Sequence, residues 1–257
     1  MAVPANQGGY RDSAIEALAA REYERAGDAY TRAAWHCIAT PQEGTSPFEP
    51  DDRGVVGRGL ESLAAATVAY RVAGRESRAT HRGVGGVAIA RDLETALKQP
   101  VQQACLAEFV ADFRLVAGLD GVEAAYDDAA DAYESAGAGV DSPQRWATTP
   151  LFEAAAGTIK QLARTTANGE IAVQWSDLHG SDPAQAGRFL AHRAQYKRRR
   201  YPELLDGAIE AGRLAAPRGT TEYDNANHRC PACGATDVNW TGGSVLCLRC
   251  STPMEQS

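Results

Sequence analysis

Cys230-Pro231-Ala232-Cys233-Gly234 and Cys247-Leu248-Arg249-Cys250 lie near the C-terminal end of the 257-residue chain, separated by residues 234–246. Each Cys-x-x-Cys hook puts two sulfurs on one tight turn, where backbone N–H groups can point at them. Two hooks at this separation bring four thiolates within reach of one tetrahedral Zn2+, at roughly 2.3 Å. The stretch between them is too short to bury an adequate core, so the metal must supply much of its folding energy. Four thiolates also complete the coordination shell. That predicts a structural ion, because a catalytic zinc keeps one position open. Cys230, Cys233, Cys247 and Cys250 are therefore the metal ligands, and they set a domain boundary without naming a task.

Pro231 stiffens the first turn, and Gly234 permits the positive φ that such knuckles need after the second ligand. Ser251 holds the equivalent place in the second knuckle and suits it less well. Residues 237–246 read as a β-hairpin with a Gly242-Gly243 turn. Its register pairs Trp240 with Val245 and Val238 with Cys247, giving one apolar face beside the metal. Arg229 and Arg249 are placed to offset the negative excess of four thiolates around one Zn2+. A redox dithiol would need a single motif at a helix start, and disulfides would need an oxidising compartment. His228 stands beside a shell that is already full. Residues 228–252 resemble zinc ribbons. Some ribbons of transcript-cleavage factors carry an acidic pair at the hairpin tip, but Thr241-Gly242-Gly243-Ser244 has neither acid nor base, so that chemistry does not carry over.

The net charge of −7 argues against a nucleic-acid protein whose whole surface is basic. No apolar run approaches the roughly 20 residues of a membrane span. Met1-Ala2-Val3-Pro4-Ala5-Asn6 lacks the basic–apolar pattern of a secretory signal. A soluble, cytoplasmic protein is expected. Lys98, Lys160 and Lys197 are the only lysines among many arginines. With abundant alanine, that usage points to a GC-rich source such as a haloarchaeon. Cys37 and Cys105 fall in helical patterns and read as small buried hydrophobes.

Amphipathic alanine-rich segments dominate from Arg11 to about Ala216, with no convincing strand before the ribbon. Helices are predicted near 11–21, 23–38, 58–73, 75–97, 101–117, 120–137, 150–167, 184–200 and 202–215. Breaks are expected at 40–53, at Gln99-Pro100, at Ser142-Pro143 and at residues 180–183. The fold class is mainly α. The domains read as a helical body over 1–216, an extended polar linker over 217–227 that either lets the ribbon move or anchors it through Tyr223, and the ribbon over 228–257. Within the body, Tyr23, Ala26, Tyr30 and Ala33 repeat as Tyr126, Ala129, Tyr133 and Ala136. Tyr70, Ala73, Gly74 and Ala79 give a weaker trace. The spacing resembles helix B of a tetratricopeptide repeat, which implies an α-solenoid with a partner-binding groove. An irregular helical bundle with tyrosines in its core accounts for the same steps of three and four.

Gly83-Val84-Gly85-Gly86-Val87-Ala88 fits a loose dinucleotide motif but follows no strand, so close helix contact explains it better. Ser176, Asp177 and His179 lie within one turn, without the converging geometry of a triad. No HExxH, no P-loop and no paired acids on a helical face are evident, so no catalytic or cofactor-binding residue is assigned. The basic stretch Arg188, Arg193, Lys197, Arg198, Arg199 and Arg200, with Tyr196 and Tyr201 interleaved, suits contact with nucleic acid or an acidic partner. A solvated helix C-terminus is the plain alternative. The expected function is a non-catalytic, zinc-binding adaptor whose helical groove takes a protein partner. The alternative is a nucleic-acid-associated factor of transcription or translation.

Overall fold

The computed structural model describes residues 7–39 and 54–256. The break expected at 40–53 and the N-terminal residues 1–6 lie outside them. The fold is mainly α with a small β ribbon. Among the described residues six helices come first: α1 (Gln7–Ala19), α2 (Tyr23–Ala39), α3 (Gly54–Val72), α4 (Glu76–Ala96), α5 (Pro100–Val116) and α6 (Val122–Ala136). Then come short α7 (Pro143–Ala147), long α8 (Pro150–Thr166), one-turn α9 (Trp175–Leu178) and the 25-residue α10 (Ala186–Glu210). From α1 to α6 each helix packs on its neighbours in sequence. α8 then returns to α3, and α10 lies against α6 and α8. An open array keeps contacts between adjacent repeats. Here the later helices close the stack into a bundle around one large core, with a smaller cluster of Ala156, Ala163, Val173 and Leu178 beside it.

The repeated tyrosines are all buried, Tyr70 included. Gly74 turns the chain between α3 and α4 at φ +68, as its place in the weaker trace requires. The glycines of the dinucleotide-like motif lie inside α4 and pack on α5. A Cβ on Gly83 would lie 2.2 Å from that of Ala117, and one on Gly86 would lie 2.4 Å from the Phe113 ring. Gly86→Val should therefore cost about 1–3 kcal/mol by overpacking. Chemical denaturation checks this, and an unchanged midpoint would refute the close contact.

Two predicted helices, 184–200 and 202–215, are one. Pro202 stands inside α10, where proline removes a helical hydrogen bond. The apolar stripe Phe189, Leu190, Ala194, Tyr201, Leu205 and Ala208 runs through it unbroken. Burial of that stripe outweighs the local defect. No helix among the described residues is long and apolar enough to cross a membrane.

The ribbon is built from β1 (Thr220–Glu222), β2 (His228–Arg229), β3 (Val238–Thr241), β4 (Ser244–Cys247) and β5 (Glu255–Gln256). The hairpin register is the expected one, with Trp240 opposite Val245 and Val238 opposite Cys247. Gly242 and Gly243, at φ +56 and +69, supply the turn. β1 comes from the stretch expected to be a linker and pairs with β3, giving the order β1-β3-β4. A three-residue strand whose partner lies many residues away has no local signature.

Candidate metal centre and its anchorage

The two knuckles have the same backbone. The Gly234 N–H donates to the Cys230 carbonyl and the Ser251 N–H to the Cys247 carbonyl, both at 2.9 Å. Gly234 has φ +74, as its position demands, and Ser251 is forced to φ +61. The four sulfurs lie within 4.8 Å of one another. The Cys230–Cys250, Cys233–Cys247 and Cys233–Cys250 sulfurs are 3.5, 3.6 and 3.7 Å apart. A tetrahedron with bonds of roughly 2.3 Å has edges of about 3.8 Å, so the cluster has the size of a four-thiolate metal site. His228 is not part of it; its Nδ1 lies 3.0 Å from Asn225 Oδ1.

The ribbon is fastened to the helical body. From α8, Gln161 Nε2 donates to the Ala215 carbonyl at 2.7 Å, and Arg164 Nη1 donates to the Ala216 carbonyl at 2.5 Å. Thr165 Oγ1 accepts from Ala215 N–H at 2.9 Å. The Ala216 N–H then donates to Ser251 Oγ at 3.0 Å, so the strained residue of the second knuckle is an anchor. On the hairpin, Asn239 Oδ1 accepts from Gly219 N–H and its Nδ2 donates to the Pro217 carbonyl. Ile15 of α1, Ala216 and Leu246 form a small core between body and ribbon.

Arg249 does not turn to the thiolates as expected. It pairs with Asp237 at 2.7 Å and with Glu170 of the body. Burial works against the Asp237 charge, yet the Arg249 guanidinium holds its carboxyl below the usual range. The expected apolar face is also only partly formed. Val238 and Cys247 are buried, but Trp240 is exposed, edge-on to His228.

The basic stretch divides. Arg188, Arg198, Arg199 and Arg200 are exposed, whereas Arg193 and Lys197 are 2% and 0% exposed and cannot touch a partner. Their charges meet acids on α5. Arg193 pairs with Glu108 at 2.8 Å, and Lys197 with Glu108 at 2.7 Å and Asp112 at 2.6 Å. Glu108 and Asp112 are four residues apart on α5, a pair of acids on one helical face where none was expected. From α6, Tyr133 and Tyr126 donate to Glu108 and Asp112, both at 2.7 Å. A three-helix ladder results, with tyrosine, carboxylate and cation on successive helices. Burial alone would raise the Glu108 carboxyl, but Arg193 and Lys197 hold it down at about 2. Burial pushes Asp112 up to about 6 against the pull of Lys197. Cys105 is fully buried beside the ladder, and burial lifts its thiol to about 12.

Ser176, Asp177 and His179 do not converge as a triad. Asp177 accepts from the Gln174 N–H, and His179 Nδ1 lies 2.9 Å from the Trp175 carbonyl. The His179 ring stacks between Trp175 and Phe189, and burial lowers its pKa to about 4. No protein-family model, curated protein or solved structure matches the chain.

Proposed function

We propose that the protein is a non-catalytic, cytoplasmic interaction protein: one structural Zn2+ holds the ribbon, and the helical body receives a protein partner. The closed cysteine cluster carries this reading, since four sulfurs at these separations leave no position for water or substrate. Cys230, Cys233, Cys247 and Cys250 would hold the ion, which supplies folding energy and no reaction step. Anchorage through Ser251 and Arg249 makes ribbon and body present one surface.

A groove of about 780 Å³ runs beside α9 and α10, bordered by Trp175, Phe189, Arg188, His192 and Glu134. Trp175 is 49% exposed there, and buried aromatic and arginine anchors dominate protein interfaces. The nucleic-acid alternative has lost Arg193 and Lys197. Of the remaining cations, Arg198 pairs with Glu123 and Asp127, and Arg200 pairs with Glu203.

A photo-crosslinking residue at exposed Gln195, on the groove, should give a discrete protein adduct in native extract that survives nuclease. Joint replacement of Arg188, Arg198, Arg199 and Arg200 by Ser should leave retention on RNA and DNA unchanged. Nuclease-sensitive adducts, with binding that falls log-linearly with salt, would instead establish the nucleic-acid role.

A further inference from the structure

A second cavity, of about 370 Å³, lies between α1, α2, α3 and α8 and shares no lining residue with the α10 groove or the cysteine cluster. Glu61 projects into it beside Tyr30, and the exposed guanidiniums of Arg11 and Arg58 line it as well. Among the described residues Glu61 makes no hydrogen bond and no direct ion pair. It feels Arg11, Lys160 and Arg58 only at longer range. Its carboxylate rests over Gly157 of α8, where a Cβ would fall 1.8 Å from Oε1. Glycine inside a helix is less favourable than alanine. The fold therefore gives up helix stability at Gly157 and keeps an unpaired acid in a cavity wall. Gly157 leaves room for that carboxylate against α8, and an acid held in a concave wall with no direct partner is placed to meet a cationic group of a ligand.

We propose that this cavity binds a small zwitterion of the α-amino-acid class, its ammonium on Glu61 and its carboxylate on Arg11 and Arg58. The acid and the two cations stand too far apart to neutralise one another directly. A molecule carrying both charges spans that gap with complementary ends. The Tyr30 ring, Ala33, Ala65 and Pro217 give an apolar wall for the remainder of the ligand. The volume falls within the roughly 300–1,000 Å³ typical of small-molecule sites.

The protonation of Glu61 supplies a signature. Burial pushes its carboxyl up to about 7, against Arg11, Lys160 and Arg58. Tyr30, facing it from α2, is lifted to about 12 by burial and keeps its proton. The Cys37 thiol, also raised by burial, stays protonated too. An arriving ammonium favours the carboxylate form, so ligand uptake near pH 6 should release a proton from Glu61.

The test is calorimetric titration of the intact protein with each common free L-amino acid alone, and with N-acetyl and methyl-ester counterparts. At least one free amino acid should saturate a single site with Kd below about 1 mM. Both Glu61→Gln and Arg58→Ala should weaken it about tenfold or more, and only Glu61→Gln should abolish proton release, read in buffers of differing ionisation heat. Arg58 is exposed, so its variant keeps the test valid should Glu61→Gln misfold. The proposal is overturned if no amino acid saturates at about 10 mM, if the blocked analogues bind as tightly, or if neither variant weakens binding.

Discussion

Glu108→Ala should destabilise the helical body by about 3–5 kcal/mol, the usual cost of leaving a buried charge without its partner. Glu108 accepts from Arg193, Lys197 and Tyr133, all buried. Its removal leaves Arg193 with no carboxylate in the ladder and Lys197 with Asp112 alone, and it leaves the Tyr133 hydroxyl without its acceptor. Tyr133→Phe removes one neutral hydroxyl, which donates to Glu108 and accepts from Arg193, and should cost less, about 1.5–3 kcal/mol. Chemical denaturation of both variants gives the comparison. If Glu108→Ala cost no more than Tyr133→Phe, the ladder would not be an ionised network. The pH dependence has a definite sign. The carboxyl drops from its ordinary 4.5 to about 2 on folding, so its contribution is present above about 4.5 and is lost as pH falls towards 2. Replacing Glu108 by Gln should flatten the acid limb of the stability curve over that window.

Stripping the metal with a chelator under reducing conditions should unfold the ribbon while sparing most of the helical signal in circular dichroism. Structural zinc contributes about 10–16 kcal/mol of apparent binding energy in zinc-finger peptides, far more than this short hairpin can replace by burial. The amides of Cys230, Gly234, Leu248 and Ser251, held by bonds at 2.8–2.9 Å, should lose their protection from hydrogen exchange. The effect should reach the body at Ala216, whose N–H is bound to Ser251 and whose carbonyl is held by Arg164. Undiminished protection in fully demetallated protein would show that packing alone holds the ribbon. Cys247→Ser should reproduce the chelated pattern.

The parts legible in the sequence are those governed by local rules. Ligand spacing placed the four cysteines, and the Gly242-Gly243 turn set the hairpin register, because a two-residue loop with positive φ dictates the pairing of its flanks. The 3.6-residue period located the long helices. What escaped depends on which face of a helix meets another. Arg193 and Lys197 look like a solvated basic surface until Glu108 and Asp112 are found opposite them on α5. The signal was present as two acids at a spacing of four on the buried stripe that carries Cys105 and Phe109. The tyrosine repeat was legible as packing, but its two copies differ in role. Tyr126 and Tyr133 bond to carboxylates, whereas Tyr30 faces a cavity. Pro202 argued for a break that burial of Tyr201 and Leu205 overrides. Ser251, unfavourable by its φ, makes sense only once Ala216 is seen to bind its hydroxyl.

X-ray absorption at the zinc edge of natively purified, reduced protein, with the metal counted per chain, tests the centre most directly. The account predicts one zinc per chain with four sulfur neighbours at about 2.3 Å. Metal-free protein with an intact ribbon, or a shell containing nitrogen or oxygen, would contradict it.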